Sequence, residues 1–106
     1  MKFITIEELL EMKANGKKFK LVEVLSEENF AAGHLPEAIN LPLGKIKTIA
    51  TEYLKKDETI AVYCASYACN ASTEAAKILL ELGYEKVLDF KAGKKGWENA
   101  GLPLEK

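Results

Sequence analysis

Apolar positions along this chain follow two rhythms. Short continuous apolar runs read as strands buried in a sheet, and apolar residues spaced three and four apart read as helical faces. Phe19, Leu21, Val22 and Val24 predict a strand over 19–25, Ile60 to Tyr63 a second, and Tyr84 to Phe90 a third, centred on Val87 and Leu88. Phe3-Ile4 and Ala38 to Leu41 are briefer strand candidates, the latter stopped by Pro42. Between them lie the helices. Thr5 with Glu8 forms a capping-box pattern ahead of Leu9, Leu10 and Met12, and Asn15-Gly16 ends that helix. Ser26 caps a short helix carrying Phe30, which ends at Gly33. Leu43 to Leu54 sets Ile46, Ile49, Ala50, Tyr53 and Leu54 on one side. Ala75, Ala76, Ile78, Leu79, Leu80 and Leu82 form another face, closed by Gly83. Ala92-Gly93 reads as a turn, Gly96 to Ala100 as one helical turn around Trp97, and Gly101 to Lys106 as a tail. Strands alternate with helices throughout, so the pattern predicts an α/β fold with parallel neighbours and helices on both faces. Ligands of such sheets bind beyond the carboxyl ends of the strands.

Composition narrows the class. At 106 residues the chain is expected to form a single domain, 1–106, with one modest core. A formal net charge of −1 gives no bulk attraction to nucleic acid or to an anionic membrane, so neither is expected as a partner. No apolar run is long enough to span a bilayer. The start, Met1 to Leu9, turns acidic at once and does not resemble a signal peptide. Two cysteines are too few for a disulfide scaffold, and a reducing, cytoplasmic setting is the default. All 15 basic residues are lysine, and arginine is absent.

The chemistry concentrates at residues 59–76, which read as strand, tight loop and helix. Cys64 ends the strand, and Cys69 lies in the loop. Asn70, Ser72 and Thr73 can each cap the following helix. A thiol facing a helix N-terminus meets free N–H groups and the positive end of the dipole, both of which favour a thiolate and are expected to lower the Cys64 pKa. Ala65, Ser66, Tyr67, Ala68, Asn70, Ala71 and Ser72 are mostly small, which lets their backbone N–H groups converge as an anion-binding loop. The alternative is that Cys64 is a small buried apolar residue and Cys69 incidental. Two thiols and one distant histidine do not complete a zinc site, so no metal or other cofactor is expected. His34, the one histidine, would suit nucleophilic catalysis as a Cys–His pair, but it falls in the turn Gly33-His34-Leu35-Pro36, where an imidazole often just bonds backbone carbonyls, and the structural reading is favoured. Glu23, late in the 19–25 strand, falls at the same sheet edge as Cys64, where it either orients the loop or is solvated.

These motifs resemble the single-domain rhodanese family of sulfurtransferases over nearly the whole chain. Leu21 to Leu25, then Glu28-Asn29-Phe30, then Gly33-His34-Leu35-Pro36 through Asn40-Leu41-Pro42 are similar to the family's first signature. Val62-Tyr63-Cys64, Ala75 to Tyr84 and Gly93 to Pro103 are similar to its second half. The resemblance implies a five-stranded, mostly parallel sheet and a cysteine that carries sulfane sulfur as a persulfide, at the position of Cys64. It implies a small sulfur donor and a thiol or cyanide acceptor, with a sulfur-relay protein as a further partner.

Two departures qualify it. Cys69 stands where the family loop often has arginine, and Asp-Val-Arg has become Glu23-Val24-Leu25. Less fixed positive charge is then available for an anionic donor such as thiosulfate. Phosphatases of the same general fold close the loop with an arginine that grips the transferring phosphoryl group, so a chain without arginine is a poor candidate for phosphate or arsenate chemistry. The same departures motivate an alternative, a non-catalytic binding or redox-sensing module built on the Cys64/Cys69 pair.

Overall fold

The computed structural model describes residues 1–106. Five strands and five helices alternate along the chain: β1 (Lys2–Phe3), α1 (Ile6–Ala14), β2 (Lys20–Glu23), α2 (Glu27–Ala32), β3 (Ile39–Asn40), α3 (Leu43–Tyr53), β4 (Ile60–Tyr63), α4 (Ala71–Glu81), β5 (Val87–Phe90) and α5 (Gly93–Asn99). They form one sheet of order β1-β5-β4-β2-β3. Every neighbouring pair is parallel, as the alternation of strands and helices required. The central strand β4 is buried at every residue, which explains why it reads as an unbroken apolar run.

Side chains alternate across the sheet, so two cores form. On one face Val22, Val24, Ile60, Val62, Cys64 and Val87 pack with Ile46, Ala50 and Leu54 around α3 and with Ala75, Ala76 and Leu79 of α4. On the other, Leu21, Ala61, Tyr63 and Phe90 meet Leu9 of α1, Leu35 and Trp97 of α5. Cys64 therefore faces α4, whereas Tyr63 and its register partner Glu23 face the opposite way.

Several local expectations hold in detail. Thr5 and Glu8 make both bonds of the capping box, at 3.0 and 3.1 Å. Ser26 Oγ accepts from the Asn29 N–H at 3.2 Å. Others change. The regular part of β2 is shorter than 19–25, because beyond Glu23 the backbone turns away to β3 and α3: Leu43 N–H donates to the Val24 carbonyl. Ala92 lies in a turn as expected, but Gly93 already starts α5, which begins earlier than the predicted single turn at Gly96. The segment after Gly101 is not a loose tail. Glu105 pairs antiparallel with His34, each N–H donating to the other's carbonyl at 2.8 Å. Nothing periodic in a six-residue terminus announces a bridge to a turn so far away in sequence. No helix is long and apolar enough to cross a membrane.

Candidate active site

The loop 64–70 leaves the carboxyl end of β4 and enters α4, and its shape is set from outside by α5. The N–H groups of Lys94 and Lys95 donate to the carbonyls of Cys64 and Ala65, at 3.0 and 2.9 Å. A peptide carbonyl and its N–H point in opposite directions, so holding these carbonyls against α5 turns the adjoining amides back toward the thiols. Gly93 makes this approach possible. Its φ is +64°, and a Cβ there would lie 2.3 Å from the Cys64 carbonyl oxygen. Within the loop, Cys69 N–H closes a turn onto the Ser66 carbonyl at 3.0 Å. Tyr67 projects at the tip and is 66% exposed.

The turn folds Cys69 back over Cys64. Cys64 Sγ donates to the Cys69 carbonyl at 3.3 Å, and the two thiols are close enough to shift each other's titration. Both are free. Cys64 is fully buried and Cys69 only partly so. Ser72, in the first turn of α4, is fully buried; its Oγ has no hydrogen-bond partner, and its hydroxyl and N–H lie close enough to Cys64 to favour the thiolate. The N–H groups of Ala71 and Ala65 are directed at Cys69 instead. No side chain caps α4: Asn70 occupies the N-cap position, but its Oδ1 accepts from Lys91 Nζ at 3.1 Å. Thr73 turns its hydroxyl to buried Asp89 at 2.7 Å. The expected side-chain caps are therefore engaged elsewhere, and first-turn amides are left to the sulfurs.

This geometry reverses one expectation. Burial pushes the Cys64 thiol above its usual range, and the hydrogen bond with Cys69 adds to this, while Ser72 pulls the other way. Cys69 is lowered, although partial burial opposes it. Its bond with Cys64, the Ala71 and Ala65 amides and the Lys91 charge together outweigh that burial. The helix terminus does favour a thiolate, but of the two thiols Cys69 is the one favoured to lose its proton.

Glu23 is not solvated. It is fully buried, and its Oε1 accepts from the Tyr63 hydroxyl at 2.8 Å. Its other oxygen lies 3.1 Å from Lys94 Nζ, an ion pair whose alignment is Coulombic more than a directed hydrogen bond. Lys94 Nζ also donates to the Asn29 carbonyl at 2.8 Å, and the Leu35 N–H donates to Tyr63 Oη at 3.1 Å. Glu23 thus lies on the sheet face opposite Cys64 and reaches the loop through Lys94, whose own N–H grips the Cys64 carbonyl. His34 stacks on Phe30 with ring centroids 3.9 Å apart and bonds the Phe30 carbonyl through Nδ1 at 3.0 Å, with no part in the thiol cluster.

Sequence reasoning missed Lys91, Lys94 and Tyr63. Lys91 donates to the Cys69 carbonyl and supplies a cation where the loop lacks arginine. The Gly93-Lys94-Lys95-Gly96-Trp97 motif was the available signal for Lys94. Nothing local distinguished Lys91 from fourteen other lysines.

The comparisons with known proteins agree with this architecture. The family model for the Rhodanese-like domain matches residues 5–100. A protein named sulfurtransferase from Allochromatium vinosum is 32% identical over 101 residues, 95% of this chain and 92% of that protein. An HTH-type transcriptional regulator of Mycobacterium tuberculosis is 36% identical over 96% of this chain, which spans only 44% of the regulator. The crystal structure of a Bacillus halodurans protein superposes with a TM-score of 0.90 at 30% identity, covering 98% of this chain and 76% of that one.

Proposed function

The chain belongs to the rhodanese-like domain family, and on that premise we propose that residues 1–106 act as a sulfurtransferase unit carrying sulfane sulfur as a persulfide on Cys64. The observation that carries this reading is the setting of Cys64: a strand-end thiol faced by the Ser72 hydroxyl and amide at the start of α4.

Cys64, the weaker acid of the pair, loses its proton only as it attacks, and Cys69 beside it is the acceptor of that proton. Cys64 Sγ attacks the outer sulfur of a small donor. The new S–S bond forms as the donor's leaving group departs with the old bonding pair. Amides of the loop and of the first turn of α4 stabilise the anionic sulfur. An acceptor thiolate, or cyanide, then attacks the outer sulfur and regenerates the Cys64 thiolate, leaving an acceptor persulfide or thiocyanate. Because Cys64 has no exposed surface, the 65–70 loop must open for the donor to reach it. Lys91 partly replaces the positive charge that arginine would bring to an anionic donor. A thiol-bearing sulfur-relay protein is an acceptor of the same chemistry, and the low cysteine count supports a reducing, cytoplasmic setting.

The test is to treat wild type, Cys64→Ser and Cys69→Ser with a sulfane-sulfur donor and weigh each protein, with and without an acceptor thiol. Sulfur is expected to enter wild type and Cys69→Ser, and transfer by Cys64→Ser is expected to fall to background. Sulfur on Cys64→Ser but not on Cys69→Ser would reverse the assignment. A reversible disulfide under peroxide with no sulfur uptake would favour the redox-sensing module.

A further inference from the structure

We propose that Cys69 is a resolving thiol that attacks the Cys64 persulfide, releases sulfide and closes a Cys64–Cys69 disulfide, which gives the chain a sulfane-sulfur-reducing activity. This rests on Cys64 being the sulfur-bearing residue.

Three observations carry it. First, the tight turn made by the Cys69 N–H and the Ser66 carbonyl folds Cys69 onto Cys64, whose Sγ reaches the Cys69 carbonyl at 3.3 Å. Second, Cys64 Sγ, which becomes the inner sulfur of a persulfide, lies against Cys69 and is within reach of its thiol. Attack there gives a disulfide, whereas attack on the outer sulfur would only move the persulfide. Third, Cys69 is the favoured anion of the pair and therefore the better nucleophile, with Lys91 and the Ala65 and Ala71 amides directed at it.

The step balances without an external oxidant. Once Cys69 has lost its proton to solvent, its thiolate attacks Cys64 Sγ. The Sγ–Sγ bond forms, the bond to the outer sulfur breaks, and HS⁻ leaves with the electron pair. The sulfane sulfur is reduced to sulfide and the two cysteines are oxidised. Two external thiols then reopen the disulfide by exchange and emerge as their own disulfide. Cys64 and Cys69 are thus expected to divide the sulfur between two fates: transfer when an acceptor arrives first, sulfide when Cys69 does.

The experiment loads wild type, Cys69→Ser and Cys64→Ser with inorganic polysulfide under anaerobic conditions, then removes excess donor. Free sulfide and mass are followed with no added thiol. Both cysteines lie in one tryptic peptide, Asp57 to Lys77, because no lysine intervenes. In wild type, sulfide is expected to appear in proportion to sulfur loaded, and this peptide is expected to end two hydrogens lighter. Cys69→Ser, which loads more slowly without its proton acceptor, is expected to keep its added sulfur until a thiol is supplied. Cys64→Ser is expected to give neither product. Wild type holding its persulfide as long as Cys69→Ser would overturn the inference and leave the sulfurtransferase reading standing. Failure of both to take up sulfur would overturn both.

Discussion

The two ends of the sheet carry opposite kinds of surface. At the amino end, an open groove of about 800 Å³ is lined by Lys13, Lys17, Lys18, Lys20, Lys55 and Lys86 with a few acidic residues and no thiol. At the carboxyl end there is no comparable cavity, yet Glu23, Ser72, Asp89 and Cys64 are all fully buried there. The difference teaches that volume does not locate the chemistry of this fold. Exposed lysines around a wide groove are screened by water and interact weakly. Buried polar groups cost free energy unless paired, so where they gather, the structure must hold them in fixed geometry, and fixed geometry is what a reacting sulfur needs.

The sharpest way to break this contrast is at Glu23. Glu23→Ala leaves the largely buried Lys94 ammonium and the Tyr63 hydroxyl without their partner. Urea unfolding is expected to show a loss of about 3–5 kcal/mol, as for other broken buried ion pairs. Glu23→Gln, which retains an acceptor for Tyr63, is expected to lose less.

Gly93→Ala comes next. The strained φ and the overlap with the Cys64 carbonyl are expected to cost at least about 2 kcal/mol and to displace the loop, so sulfur loading should fall together with stability. A variant as stable and as active as wild type would show that α5 does not set the loop.

The thiols sharpen the comparison through pH. Cys69 is lowered, so its alkylation by iodoacetamide should rise at a pH below the ordinary cysteine range of about 8.5, while the raised Cys64 should react only above it. Peptide mapping near neutral pH is expected to find Cys69 labelled faster than Cys64. Equal rates would remove the electrostatic distinction between the two cysteines.

The smallest effect belongs to the amino-end groove. Replacing exposed Lys17 and Lys18 by Gln is expected to change stability by less than about 0.5 kcal/mol and to leave sulfur transfer unaltered. A marked loss of transfer there would place a functional role at the wrong end of the sheet and undo the contrast.

Much of the architecture was legible because its signals are local. Period-two and period-3.6 patterns, the Thr5/Glu8 capping box and the apolar run Ile60 to Tyr63 each depend on residues a few positions apart, and the parallel sheet follows from their alternation. The location of Cys64 at the end of the central strand was legible for the same reason. What the tertiary structure decided were the environments. Glu23 could be read as solvated until Lys94 and Tyr63 arrived beside it from distant segments. The Cys64 pKa could be read as lowered until burial under the loop was counted. Lys91, just beyond β5, and the amides turned inward by α5 favour the anion on Cys69 over Cys64. A charge responds to the sum of every group and every water around it, and that sum is assembled only when remote parts of the chain fold together.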